Sequence, residues 1–206
     1  MDKFRSEILD LLKSLNFQKQ LVFGVLICEK LLPNYTYFSK IMSWGSPDKL
    51  QNTIFKIYQY IYNYELFSVD EIQDLIIEIE LNTPDTNDFE SIFVSFALDS
   101  CTSLLSTLTF ILDKNIENMV DVASYPRDTV DMYVQEKEDL AIEDKQFELK
   151  IEQNYYMQQE KTRQKTVLQL LKNMNKISDK ELQELRNIQP SPIIDLHLLS
   201  SFDDVQ

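Results

Sequence analysis

The sequence predicts an all-α, single-domain bundle of about eight or nine helices, and three observations carry that prediction. Apolar residues recur with the 3.6-residue period of a helix, as in Leu50, Ile54, Ile57, Tyr58 and Ile61. Capping signals recur between these runs. Alternating strand patterns are scarce, and Gly24 and Gly45 are the only glycines in 206 residues.

Taken in order, the first expected helix is 2–14, with Asp2, Glu7 and Asp10 in place of the basic start of a secretory signal. The apolar stretch Leu21–Cys28 lies within a second helix, 17–32, and Pro33 separates it from a third, 35–43. Ser46–Pro47 places a capping hydroxyl before proline at the first position of helix 47–64. Its Tyr58–Tyr64 end is rich in β-formers, but the stripe before it is helical. Ser68 and Glu71 form a capping box for 69–80, whose inner stripe is Ile72, Leu75, Ile76 and Ile79. After the Pro84 break comes 87–112, then 115–136. A charged, Gln-rich helix, 143–175, is expected to be long and partly exposed, and a second box, Ser178 with Glu181, opens 179–189. Pro190 then ends the 1–189 domain and begins a tail, 190–206, in which His197 stands as a solvated histidine.

Composition excludes several functions. A net charge of −14 argues against nucleic acid, which needs clustered Lys and Arg. Two glycines exclude a Gly-rich phosphate loop, and one histidine removes most zinc sites. Two cysteines make no disulfide framework, and Cys28 and Cys101 read as small core residues. No metal, cofactor or membrane span is expected. Leu21–Cys28 is too short to cross a bilayer, and Ile92–Leu112 carries Asp99 with many hydroxyls. A cytoplasmic location follows as the expectation.

Cys28-Glu29-Lys30-Leu31-Leu32-Pro33-Asn34-Tyr35, followed by Phe38 and Gly45, resembles the YjaG-like bacterial family, domain of unknown function 416. Ala97-Leu98-Asp99-Ser100-Cys101 with Leu104, and Val122-Ala123-Ser124 leading to Thr129-Val130-Asp131-Met132, extend the resemblance over roughly 15–190. It implies a small all-helical fold and assigns no activity. Pro126 falls within what the family pattern makes one helix, so a kink is expected there.

Two groups of residues are candidates for function. Ser95, Asp99, Thr102, Ser103 and Ser106 share one face of their helix, a stripe of small hydroxyls suited to close packing or to lining a pocket. With Glu29, Asn34 and Tyr35, the stripe's Asp99, Thr102 and Ser103 make a candidate polar pocket, in which Glu29 and Asp99 are the carboxylates for acid–base work. Ser100-Cys101 lacks a neighbouring base, so nucleophilic catalysis has no support. The second group comes from the charge map. No Lys or Arg occurs between Lys56 and Lys114, and Asp70, Glu71, Asp74, Glu78, Asp85 and Asp88 fall in that gap. A block of one sign suits a basic protein partner. The leading expectation is a non-enzymatic interaction protein, of the kind that neutralises a basic toxin as an immunity protein. The alternatives are a small-molecule-binding protein or enzyme using the Glu29/Asp99 region, and a structural homodimer joined through 143–175.

Overall fold

A computed structural model describes residues 3–141, 143–188 and 192–197, and among them every regular element is helical. The tail expected at 190–206 is described only at 192–197. Helix α1 (Lys3–Lys13) turns at Leu15 into α2 (Phe17–Met42), capped by the Asn16 side chain, which accepts from the Lys19 amide at 3.0 Å. The expected break at Pro33 does not occur: 17–32 and 35–43 are one 26-residue helix. Proline removes a single amide, and burial of Leu31 before it and of Asn34, Tyr35 and Phe38 beyond it holds the helix together.

Helix α3 (Pro47–Tyr62) starts on proline as expected, but the Ser46 hydroxyl makes no capping bond; its amide donates to the Tyr35 hydroxyl at 3.3 Å instead. Helix α4 (Val69–Glu80) has the full Ser68–Glu71 capping box, the Ser68 amide donating to Glu71 at 2.8 Å and the Glu71 amide donating to the Ser68 hydroxyl at 3.2 Å. Its Ile72, Leu75 and Ile79 are buried, with Ile76 packed against them. The helix expected at 87–112 starts later. A 3₁₀ turn, Thr86–Asp88, comes first, and α5 (Ile92–Asp113) begins after Ser91, whose hydroxyl accepts from the Phe93 amide at 3.3 Å.

Pro126 does more than kink. It sits in the first turn of a new helix, so 115–136 becomes α6 (Ile116–Val122) and α7 (Tyr125–Lys137). The expected long helix 143–175 is also two, α8 (Phe147–Gln153) and α9 (Tyr155–Asn173). Asn154 between them is extended, with φ −61° and ψ 143°, and its side chain caps α9 by accepting from the Tyr156 amide at 3.0 Å. Helix α10 (Asp179–Arg186) follows, with Glu181 accepting from the Ser178 amide at 2.8 Å.

Helix α5 is the centre of the bundle and packs on α2, α3, α4, α6 and α7, while α9 closes the other side against α1, α2 and α7. It is long and apolar enough to cross a membrane, but Phe93, Phe96, Ala97, Leu104, Leu108 and Phe110 are all buried within the bundle. The small residues permit a close crossing of α2 and α5. A Cβ on Gly24 would stand 3.2 Å from the Thr107 hydroxyl and 2.9 Å from the Met119 sulfur, so a larger residue there would have to push the Met119 side chain aside.

Candidate functional site

The expected polar pocket is not one place. Glu29 lies on α2 and accepts from the Tyr58 hydroxyl at 2.6 Å and from Arg186 Nε at 3.0 Å, both on its Oε2. Burial and the Glu29 carboxylate together push the Tyr58 hydroxyl pKa far up. Asp99 faces α7, where its Oδ2 accepts from the Thr129 hydroxyl at 2.6 Å. Burial, augmented by the Asp128 charge and opposed by that hydrogen bond, raises its pKa to about 7. Thr102 and Ser103 donate back to the carbonyls of Leu98 and Asp99, at 2.5 and 2.8 Å. Such bonds within a helix turn satisfy hydroxyls without water, so this part of the stripe packs.

The motif residues beyond Pro33 have a structural task. The Tyr35 hydroxyl donates to the Asn82 carbonyl at 2.8 Å while accepting from Ser46, so it ties α2 to the loops before α3 and after α4. Gly45 has φ +73°, and a Cβ there would lie 2.2 Å from that hydroxyl. Asn34 is fully buried and neither of its side-chain polar atoms has a hydrogen-bond partner among the described residues.

The acidic surface is assembled by α4. Asp70, Asp74, Ile77 and Leu81 follow the i, i+4, i+7, i+11 spacing of one face, opposite the buried Ile72, Leu75 and Ile79. All four are exposed, Ile77 by 53% and Leu81 by 77%. Glu71 and Glu78 flank this face on the α3 side. There the field is not of one sign, because Lys49 meets Glu78 at 2.5 Å and Lys56 lies near enough to Glu71 to help lower its pKa, after the larger effect of the Ser68 amide and hydroxyl. Asp85 and Asp88 are exposed on the 3₁₀ turn that follows. Between that turn and α5 is a shallow notch of about 430 Å³, with Pro84, Leu98 and Leu105 in its lining and Glu80 and Asp85 at its edge.

A larger cleft, about 820 Å³, opens where Pro33 passes α9 and the segment 192–197. Leu32, Pro33, Tyr37, Ile193, Ile194 and Leu196 make apolar walls, and Glu29, Glu160 and Arg163 supply charge. His197, expected to stand alone in solvent, is exposed at the edge of this cleft. Glu160 and Arg163 are 3% exposed each and form a two-point ion pair, Arg163 Nε donating at 2.8 Å and Nη2 at 2.5 Å. Gln164 adds a third bond to Glu160 at 2.7 Å and reaches the Ala123 carbonyl at 3.0 Å. Buried Lys30 donates to the Arg186 carbonyl at 3.1 Å, and its pKa is depressed first by burial and then by the Arg163 charge.

Sequence reasoning found Glu29 and missed Lys30, Glu160, Arg163 and Arg186. A signal existed for Glu160. Met157, Glu160, Gln164, Val167, Leu168 and Leu171 stand at i, i+3, i+7, i+10, i+11 and i+14, so the buried stripe of α9 runs through it. Among the described residues no group of three His, Cys, Asp or Glu side chains gathers to hold a metal.

Fold and site together define a small all-helical protein with an acidic helix face and a separate mixed cleft. The chain belongs to the DUF416 family, proteins of unknown function, whose pattern matches residues 7–191. It is similar to an uncharacterized protein of Haemophilus influenzae (strain ATCC 51907 / DSM 11121 / KW20 / Rd), 27% identical over 121 residues, 58% of this chain and 61% of that protein. The fold is that of a DUF416 family protein from Shewanella baltica OS155, known from a crystal structure: TM-score 0.77 and 24% identity, covering 94% of this chain and 93% of the other.

Proposed function

We propose that the chain is a non-enzymatic binding protein of the cytoplasm that docks a basic protein on the exposed face of α4. The observation that carries this reading is the alignment of Asp70 and Asp74 with Ile77 and Leu81 on one outward face. Exposed apolar side chains between carboxylates suit a partner that brings both apolar contact and positive charge. The adjacent notch fits the same partner. Pro84, Leu98 and Leu105 in its lining suit the aliphatic stem of a lysine or arginine, and Glu80 and Asp85 in the same lining suit the charged head. A basic toxin neutralised by an immunity-type protein is the partner class this surface suits.

The test compares wild type with Asp70→Lys/Asp74→Lys and with Leu81→Ser, leaving Glu78 untouched because it is spent on Lys49. Basic proteins captured by wild type and lost with the double reversal are purified, and their association is timed at two salt concentrations. The reversal should slow association, as should salt, which shortens the Debye length from about 8 Å at 0.15 M to about 3 Å at 1 M. Leu81→Ser should speed dissociation. Binding that ignores salt and all three substitutions removes α4 as the interface and moves attention to α8 and α9, the place of the homodimer alternative.

A further inference from the structure

We propose that the cleft beside Pro33 binds an uncharged, largely apolar alcohol whose hydroxyl donates to the main-chain carbonyl of Glu29. This site is independent of the α4 surface. Its volume, about 820 Å³, is within the ~300–1,000 Å³ typical of small-molecule sites, and Leu32, Pro33, Tyr37, Ile193 and Leu196 give it apolar walls. An apolar body is therefore matched.

The polar contact follows from a proline inside a helix. Glu29, Pro33, Thr36 and Lys40 stand at i, i+4, i+7 and i+11 of α2, so one face of that helix lines the cleft. In an α-helix the carbonyl of residue 29 accepts from the amide of residue 33, and proline has none. The next amide, that of Asn34, belongs to the Lys30 carbonyl. Side chains do not fill the place. Lys30 reaches the Arg186 carbonyl and Thr36 the Leu32 carbonyl, and among the described residues no side chain donates to the Glu29 carbonyl. An interior proline also bends a helix away from its own side, which opens that carbonyl to what lies beside it. A main-chain carbonyl is an obligatory acceptor, so the group that fits here is a donor. Charge points to a neutral one. Among the charged residues of the cleft, Glu160 is paired with Arg163 and Glu29 with Arg186, while Lys40 and Asp195 are exposed at the edge. Within the walls neither an anion nor an ammonium meets an unpaired counter-charge among the described residues, so either would leave water without compensation.

The probes are octanol and its isomer heptyl methyl ether, with octanoate and octylamine as charged controls, titrated calorimetrically into the full chain. Octanol should bind one per chain and raise the melting temperature. The ether has the same atoms but no donor, and should bind about fivefold or more weakly, the worth of one hydrogen bond. Both charged controls should also bind more weakly than octanol. Pro33→Ala gives the Glu29 carbonyl an amide and suits the helix better, so the chain should fold while octanol and the ether become nearly equal. Thr36→Trp, at an exposed position lining the cleft, should block both. If Pro33→Ala does not fold, the ether comparison and Thr36→Trp decide. Four outcomes overturn the proposal: octanol does not bind, the ether or a charged control binds as tightly as octanol, folded Pro33→Ala keeps the full preference for octanol, or Thr36→Trp leaves binding unchanged.

Discussion

Asp99 holds its proton almost to neutrality because α5 buries it against α7 and offers it a single hydroxyl, that of Thr129. In the unfolded chain an aspartate titrates near ~3.9; here the group titrates at about 7. Between those values the native state binds a proton that the unfolded state has released, so this group's contribution to stability falls as pH rises through that window and levels off above it. Asp99→Asn keeps an acceptor for Thr129 and cannot ionise. Its stability relative to wild type should therefore improve steadily from about pH 4 to pH 7, read from urea unfolding at several pH values. Asp99→Leu should cost more at low pH, about 1–3 kcal/mol, because the buried Thr129 hydroxyl loses its partner. Equal pH profiles for wild type and Asp99→Asn would show that the carboxylate is not the group responsible. Gly45 and Tyr35 give a second prediction at this scale. Gly45→Ala places a Cβ 2.2 Å from the Tyr35 hydroxyl at φ +73° and should destabilise more than Tyr35→Phe. Removing the hydroxyl also removes most of the collision, so the double variant should be clearly more stable than the sum of the singles predicts.

At the scale of elements, α9 is unusual for the charge its buried stripe contains. Glu160, Arg163 and Gln164 take positions that Leu or Val would fill in an ordinary amphipathic helix. The arrangement holds because Glu160 accepts from both Arg163 and Gln164. Removing one partner strands the other without solvent, and Glu160→Ala should cost about 3–5 kcal/mol in urea unfolding. The apolar double Glu160→Met/Arg163→Leu should cost far less, since neither charge remains to be desolvated. A double as damaging as the single would mean that packing volume, and not charge, is what these residues supply. The break ahead of α9 rests on a smaller interaction. Asn154→Ala removes the cap on the Tyr156 amide and should cost about 1 kcal/mol, visible as a shift in the urea midpoint.

For the whole molecule, the net charge of −14 sets a general repulsion that the few surface ion pairs do not cancel. Exposed pairs such as Lys3–Glu7 and Lys180–Glu184 contribute little each. Raising sodium chloride from about 0.02 M to 0.5 M should therefore raise the melting temperature, because the Debye length shrinks below the spacing of the acidic groups. Asp70→Lys/Asp74→Lys should raise it at low salt and narrow the difference between the two salts. A melting temperature that falls with salt would mean that attractive pairs outweigh the net repulsion.

Periodicity by itself determined the helical class, the inner stripe of α4 and the outward placement of Asp70 and Asp74, since each depends only on which residues lie three or four apart. Capping chemistry likewise determined the start of α4, because the Ser68–Glu71 box is a contact within one turn. Breaks were less legible. Proline reads the same locally at 33, 84 and 126, but it continues a helix at Pro33, where Tyr35 and Phe38 are buried beyond it, and starts one at Pro126. The sites depended on still longer distances. Glu29 could be picked out from its place in the Cys28–Tyr35 stretch, but it is half-buried and its partners Tyr58 and Arg186 come from α3 and α10, not from the adjacent Asn34 and Tyr35. Asp99 and Glu29 share a motif-bearing pair of helices and bond to different ones. Only the packing of α9 and the 192–197 segment over α2 made the cleft, because its walls are separated along the chain by more than a hundred residues and no local pattern encodes their meeting.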